Sequence, residues 1–451
     1  VSHEVVEQAL ALSVADDAVV IASETTTANL RWANNTLTTN GSTRDKNLTV
    51  ISIMGRSFGV RSATLGTTDV ESIVRASEAD ARAAGDAVDF GELVGTTTSE
   101  DFEQPADPTS ITVFDQLCRE LGEVLGGGRH DGIRFFGFAN HEMTTTWLGT
   151  SKGARLRHTQ PTGSVDWTAK NDLGRGSVWH GQSTKDFTDV SALACDEILR
   201  KRLGWCENEI DLAPGRYETI LPPTALADLA VYMYWSASGR DAAEGRNAFS
   251  AQGKTRVGEK LAASGFNMFS DPSDKQLGAT PFVVTGSSSS EASVFDNGAS
   301  IGRTDWIKDG VLNALVETGA SSRERGVAFT PPADNLFIDA GGTKSIDEMI
   351  ANTERGLLLT CLWYIREVDP QSLLLTGLTR DGVYLIEDGE IAGVVNNFRF
   401  NESPIDLLGR ITETGAPEAT LPREWGDWFT LARVPPARIP DFNMSTVSPA
   451  S

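Results

Sequence analysis

The run Pro222-Pro223-Thr224 starts a helix, and that helix limits what the second half of the chain can become. Two prolines cannot continue a helix from upstream, and a threonine behind them is a natural N-cap. Leu226, Leu229, Ala230, Met233 and Tyr234 then recur at helical spacing. A turn with Gly and Ser follows, then Arg246-Asn-Ala-Phe-Ser250 and Val257-Gly-Glu-Lys-Leu261. Beyond it the chain reads as short strands with turn punctuation. Ile307-Lys-Asp-Gly-Val311 and Ile386-Glu-Asp-Gly-Glu390 each carry the Asp-Gly pair of a tight hairpin. Ser345 to Glu354 is a short amphipathic helix ahead of the strand Gly356 to Thr360, and a Pro-rich tail follows Asn401. A helix among many short strands must bury its apolar side on a sheet. The prediction is an α+β chain whose C-terminal half is mainly antiparallel β, barrel-like or sandwich, with the Thr224 helix packed against it.

The N-terminal half reads as a mixed α/β domain. A helix from His3 to Leu12 precedes the strand Ala18 to Ala22. Leu30-Arg-Trp-Ala33 and Thr36-Leu-Thr38 flank Asn34-Asn35, a hairpin turn, and Leu48 to Ile53 and Ser57 to Arg61 flank Gly55 in the same way. Thr68 and Glu71 form a capping box for a helix lined by Ile73, Val74, Ser77 and Ala81. After a polar connection over 86–108, a helix from Ser110 to Leu125 is expected to stop at Gly126-Gly-Gly128. Strands at Gly132 to Phe138, Glu142 to Gly149, Ala154 to His158 and Gly163 to Ala169 follow, then a helix from Val190 to Leu203. Leu212-Ala-Pro-Gly215 reads as the linker, giving domains over 1–213 and 214–451.

Charge excludes two partner classes. The 39 basic and 62 acidic residues leave a net charge of −23, against a nucleic acid and against an anionic membrane surface. No apolar run reaches the ~18 residues of a membrane span, no signal peptide is evident, and the four cysteines form no CxxC pair. These features read as a cytoplasmic protein with reduced, buried thiols.

Few residues offer chemistry. The five histidines show no pair at metal-ligating helical spacing, and His141-Glu142 is followed by Thr145 where HExxH needs a second histidine. His158, beside Arg155-Leu-Arg157, reads as a solvated or hydrogen-bonded strand residue. No serine of a GxSxG run stands at the strand-to-helix turn that a nucleophile elbow needs. Asp241 with Glu244 reads as solvated surface, and Arg399 with Glu402 as a structural ion pair.

The order of Arg31-Trp-Ala-Asn-Asn35, the Gly55 to Val60 strand pair, the alanine-rich helix to Ala84, Asn247 to Leu261, Asp347 to Thr360, Asp381 to Glu390 and Asn397 to Phe400 resembles the TldD/PmbA (TldD/TldE) family over essentially the whole chain. In the metal-bearing members of that family, a helix like the Thr224 helix carries HExxxH. Alignment on Phe249-Ser250 puts those two histidines at about Val231 and Trp235, neither of which ligates zinc. Cys361 lies earlier than the cysteine that completes the family's zinc site. The resemblance therefore implies the PmbA/TldE type, a bacterial subunit with no cofactor of its own and no catalytic or metal residue in this chain. It implies a heterodimer with an HExxxH-bearing TldD-type homologue that holds the zinc and processes unfolded or modified peptides. Tyr232, Tyr234, Trp235 and Ser236 are the candidate substrate- or partner-facing residues. The alternatives are a self-sufficient divergent hydrolase of a peptide-like or small amide metabolite, and a non-enzymatic scaffold homo-oligomer. A neighbouring gene for an HExxxH homologue would favour the heterodimer.

Overall fold

The computed structural model describes residues 2–171 and 176–448. The N-terminal half is built on one antiparallel six-stranded sheet of long strands: β1 (Asp17–Ala33), β2 (Thr36–Met54), β3 (Ser57–Thr64), β4 (Ile133–Thr150), β5 (Arg155–Asn171) and β6 (Ser177–Thr184), in the order β3-β2-β1-β4-β5-β6. Its turns follow the sequence signals. Asn34 and Asn35 sit at φ 49° and 59°, the left-handed pair that a two-residue hairpin demands. Asn35 is fixed there by donating from Nδ2 to Ile133 O at 2.6 Å and accepting at Oδ1 from Phe135 N at 2.7 Å. Helices α1 (Ser2–Leu12), α2 (Val70–Ala83), α3 (Asp115–Asp131) and α4 (Ala192–Trp205) cover the sheet.

Several boundaries differ from the sequence reading. The four strands expected between 132 and 169 are two long ones, because β4 and β5 pair without a register shift from Ile133–Asn171 to Gly149–Arg155. The α2 cap is Asp69, whose carboxylate accepts from Ser72 N, and not Thr68. Helix α3 runs through Gly126, Gly127 and Gly128 and ends at Gly132, at φ 69°. Packing explains this: a Cβ on Gly128 would stand 2.7 Å from the Phe135 ring, so the glycine lets the helix lie close on β4. The Pro-rich tail is a strand, Ala437–Val447.

The C-terminal half holds two large open sheets in a sandwich-like arrangement and a small ribbon pairing Ser250–Ala251 with Lys254–Thr255; among the described residues no sheet closes into a barrel. The larger includes β7 (Glu209–Ile210), β8 (Gly215–Leu221), Arg355–Leu359, Leu362–Asp369 and Ala437–Val447. The smaller includes Glu418–Thr420, Leu431–Val434, Asn335–Asp339 and Thr304–Lys308. Both Asp-Gly hairpins form, with Asp309 at φ 48° and Asp388 at φ 50°. Helix α5 (Pro223–Trp235) packs against β8 and against both Glu418–Thr420 and Leu431–Val434. One apolar core joins this helix to the two C-terminal sheets, and a second joins Trp32, Trp167 and α3 to Leu358 and Ile386 of the C-terminal half. The two halves thus share buried surface.

Candidate functional site: the buried helix and the cleft beside it

Helix α5 is buried almost all round, not on the single stripe its spacing suggests. Leu226, Ala227, Asp228, Leu229, Ala230, Val231, Met233 and Tyr234 are all inside. Its cap also differs from expectation. Pro222 is the N-cap with Pro223 in the first turn, where a missing N–H costs nothing, and the Thr224 hydroxyl donates instead to Leu421 O at 2.7 Å.

The four candidate residues at its C-terminal end go separate ways. Tyr234 lies in the core, 3% exposed, and its hydroxyl donates to Ala333 O at 3.0 Å and accepts from Ala333 N at 2.8 Å. The Ser236 hydroxyl donates to Tyr232 O at 2.9 Å, closing the helix end. Tyr232 and Trp235 come together on one side, their rings 5.5 Å and 5.4 Å from that of Trp425. Trp235 keeps 39% of its surface exposed.

Asp228, which the sequence reading passed over, organises what lies next to them. Its Oδ1 accepts from Glu424 N and its backbone carbonyl from Trp425 Nε1, both at 2.8 Å. The helix thereby holds the segment 421–430. Glu424 Oε1 accepts in turn from Ile365 N at 3.1 Å. Asp228 Oδ2 has no hydrogen-bond partner among the described residues. Burial, with the charge of Glu424 adding to it, pushes the Asp228 carboxyl well above the usual 3.8, against the pull of the Glu424 and Trp425 backbone contacts and Arg423. An acid with a raised folded-state pKa binds its proton more tightly when folded. Its cost to stability is absent below the unfolded pKa and grows as pH rises through it. Wild type should therefore lose stability relative to Asp228→Asn as pH rises from about 4 toward neutrality. Urea unfolding across that range checks this, and parallel stability curves for the two proteins would contradict it.

The segment 421–430 and the N-terminal sheet enclose a cleft of about 350 Å³. From β4 come Phe138, Asn140 and Glu142, and from β5, directly paired with Phe138 and Asn140, come Asp166 and Ser164. The opposite face of the same strands carries Ala139, Val165 and Trp167 into the core, so alternation leaves this face polar. Trp179 of β6 and Arg423 close the inner end. The Arg423 guanidinium lies 3.5 Å from the Trp363 ring centroid and 5.2 Å from that of Trp179, joining the two halves by cation–π contact. Trp428 stands at the rim, 72% exposed. The sequence signal for this cleft was the cluster Arg423-Glu-Trp-Gly-Asp-Trp428, which has more aromatic and charged residues than an ordinary strand connection.

Other residues weighed from the sequence are structural. His141 is buried on β4, with Nδ1 2.6 Å from Thr109 Oγ1 and Nε2 2.9 Å from Lys185 O, and burial lowers its pKa. His158 contacts Gln160 Oε1 at 3.1 Å. Glu402 pairs with Arg410 and not with Arg399, which reaches Thr376 Oγ1 at 3.3 Å. All four cysteines are free, and burial raises the thiols of Cys195 and Cys206 to about 12 and about 11.

A model of the PmbA/TldA metallopeptidase C-terminal domain matches residues 214–446, and one of the PmbA/TldA metallopeptidase domain 1 matches residues 18–84. This chain belongs to the PmbA/TldD family. No curated protein matches by sequence. Among solved structures the chain is similar to TldE from Thermococcus kodakarensis, with a TM-score of 0.79 and 14% identity over 98% of each chain. It is also similar to a proposed modulator of a DNA gyrase from Thermotoga maritima, with a TM-score of 0.77 and 15% identity over 98% of this chain and 99% of that one. A counterpart from Bacteroides thetaiotaomicron has a TM-score of 0.76 and 15% identity over 99% of this chain and 98% of that one. At these identities the likeness speaks for the fold.

The family's description as metallopeptidases raises the question of zinc, and the residues of α5 do not fit it. Val231 is a hydrocarbon side chain with 0% exposure, and Trp235 offers an indole to two other rings. Asp228 Oδ2 is a lone oxygen, and among the described residues no three His, Cys, Asp or Glu side chains converge on one point.

Proposed function

We propose that this chain is the non-catalytic subunit of a heterodimeric TldD/TldE-type peptidase that processes unfolded or modified peptides in the bacterial cytoplasm. The observation that carries this reading is α5: its thirteen residues, Pro223–Trp235, include no histidine or cysteine, and its inner face is filled by apolar side chains such as the buried Val231. The zinc and the cleavage chemistry belong to an HExxxH-bearing partner. This chain completes the cavity and contributes a polar cleft for the peptide, with Tyr232 and Trp235 facing the partner or the substrate. Four free thiols agree with a reducing compartment, and no helix among the described residues is long and apolar enough to cross a membrane. The test is a peptidase assay on an unfolded peptide with each subunit alone and with the two co-expressed. Only the mixture should cleave; cleavage by this chain alone would overturn the reading.

A further inference from the structure

Residues 421–430 form a loop whose two ends meet. Thr420 and Ala432 pair across the strands that enter and leave it, so the loop can lift while both strands stay in place. It roofs the cleft with Arg423, Glu424, Asp427 and Trp428. Its internal backbone bonds are local: the N–H groups of Trp428 and Phe429 both donate to Trp425 O at 2.8 Å. Its hold on α5 centres on Asp228, whose Oδ1 accepts from Glu424 N and whose backbone carbonyl accepts from Trp425 Nε1, both at 2.8 Å. Thr224 ties down only the first residue of the loop, through Leu421 O. On the far side Glu424 Oε1 takes the N–H of Ile365.

This latch suits a neutral acid. Asp228 is 0% exposed, Oδ1 is occupied by Glu424 N, and Oδ2 meets no partner among the described residues. A carboxylate out of water needs a counter-ion or several donors. The surroundings supply neither. Glu424, itself 3.6 Å from the exposed Arg366 guanidinium, repels it. Arg423 attracts it, but that guanidinium lies against the rings of Trp363 and Trp179. Cys361, just ahead of the strand Leu362–Asp369, faces it as a thiol that burial keeps protonated. The other charges on elements packed against α5 are engaged elsewhere: Arg216 and Glu218 of β8 pair with Asp441 and Arg438, and Glu418, Arg433 and Asp406 are exposed. Burial pushes the Asp228 carboxyl well above its ordinary value, in agreement with this geometry.

We propose that 421–430 is a strap over the cleft, latched by protonated Asp228 and released with the loss of that one proton to solvent. In the lifted state water reaches the carboxyl, and its pKa returns toward about 3.9. The lifted state then binds the proton less tightly than the latched state. Lifting is favoured as pH rises above about 4, by up to about tenfold per pH unit, until Asp228 ionises in the latched state too. A lifted strap unroofs the cleft and frees Ile365 N on the outermost strand of the larger sheet. It also uncovers Trp425 and Phe429, which are 9% and 5% exposed when latched.

Hydrogen–deuterium exchange of the full chain from about pH 5 to about pH 8 tests this, with each rate divided by the intrinsic rate of unprotected peptide at the same pH. The opening of 421–430 should rise with pH by up to about tenfold per unit, while β1 and β4, in the middle of the N-terminal sheet, hold constant. Asp228→Asn keeps an oxygen for Glu424 N and cannot ionise, so the rise should vanish in it. Glu424→Gln removes the neighbouring charge and should end the rise at a lower pH. Circular dichroism verifies both folds. Protection of 421–430 that stays constant with pH in the wild type, or a rise that persists in Asp228→Asn, would overturn the proposal. So would an equal rise in β1 and β4, which means that the whole fold loosens and no strap moves. The wild-type profile decides the first and last of these even if a variant misfolds. No partner and no peptide enter the experiment, so its failure is distinct from failure of the heterodimeric reading.

Discussion

Replacing Tyr234 by alanine should cost about 3–5 kcal/mol of folding stability, the usual range for emptying a buried aromatic site. The ring is 3% exposed and packs 5.2 Å from that of Trp306 and 6.3 Å from that of Phe429, between α5 and the smaller C-terminal sheet. Its hydroxyl also satisfies both backbone groups of Ala333. Removing the side chain therefore leaves a cavity and two unpaired polar groups that water cannot easily reach. Tyr234→Phe separates the two effects, because it keeps the ring and should cost only about 1–3 kcal/mol for the lost hydroxyl. Native domains have a total stability of about 5–15 kcal/mol, so the alanine variant should lie close to unfolding. Chemical denaturation measures both. A loss below about 1 kcal/mol in Tyr234→Ala, the size of an ordinary surface change, would contradict the placement of this side chain.

Trp235→Ala should behave in the opposite way, sparing the fold and weakening the heterodimer. The indole lies at the helix end, 39% exposed, with its edges on Trp425 and Phe429. Exposed tryptophans held by other aromatics are typical anchors at protein interfaces, and truncating such an anchor costs about 2 kcal/mol or more. That is roughly a thirtyfold loss of affinity for the HExxxH-bearing subunit. Surface-immobilised partner and soluble variant give the dissociation constant directly. A fully folded Trp235→Ala chain with unchanged affinity would remove this residue from the interface.

The local devices of this fold were legible in the sequence where one residue type is nearly obligatory. Asn34-Asn35, Asp309-Gly310 and Asp388-Gly389 mark hairpins because each turn needs positive φ, and all three form. Legibility failed where remote packing overrode local preference. Gly126 to Gly128 looked like a stop but sits inside α3, since Phe135 occupies the space a side chain on Gly128 would need. Thr224 looked like a cap but bonds to Leu421, far away in sequence. The cleft was hidden for a similar reason. Phe138, Asp166, Trp179 and Asp427 come from β4, β5, β6 and a loop of the C-terminal half, and only the folded chain brings them together. Asp228 was hidden as well. A single carboxylate in a run of alanines and leucines gives no sign of a distant partner, yet it anchors the segment that carries Arg423, Trp425 and Trp428. The family resemblance, by contrast, rested on segments spread along the whole chain, and the matches over 18–84 and 214–446 agree with it.

The claim that organises all of this is that the metal sits on the partner and not on α5. Its most direct measurement is the zinc content of this chain purified alone and of its complex with the HExxxH-bearing homologue. The account predicts no stoichiometric zinc in the chain alone and a single zinc in the complex, unchanged when Asp228 is replaced by asparagine. Stoichiometric zinc bound by this chain alone would contradict it.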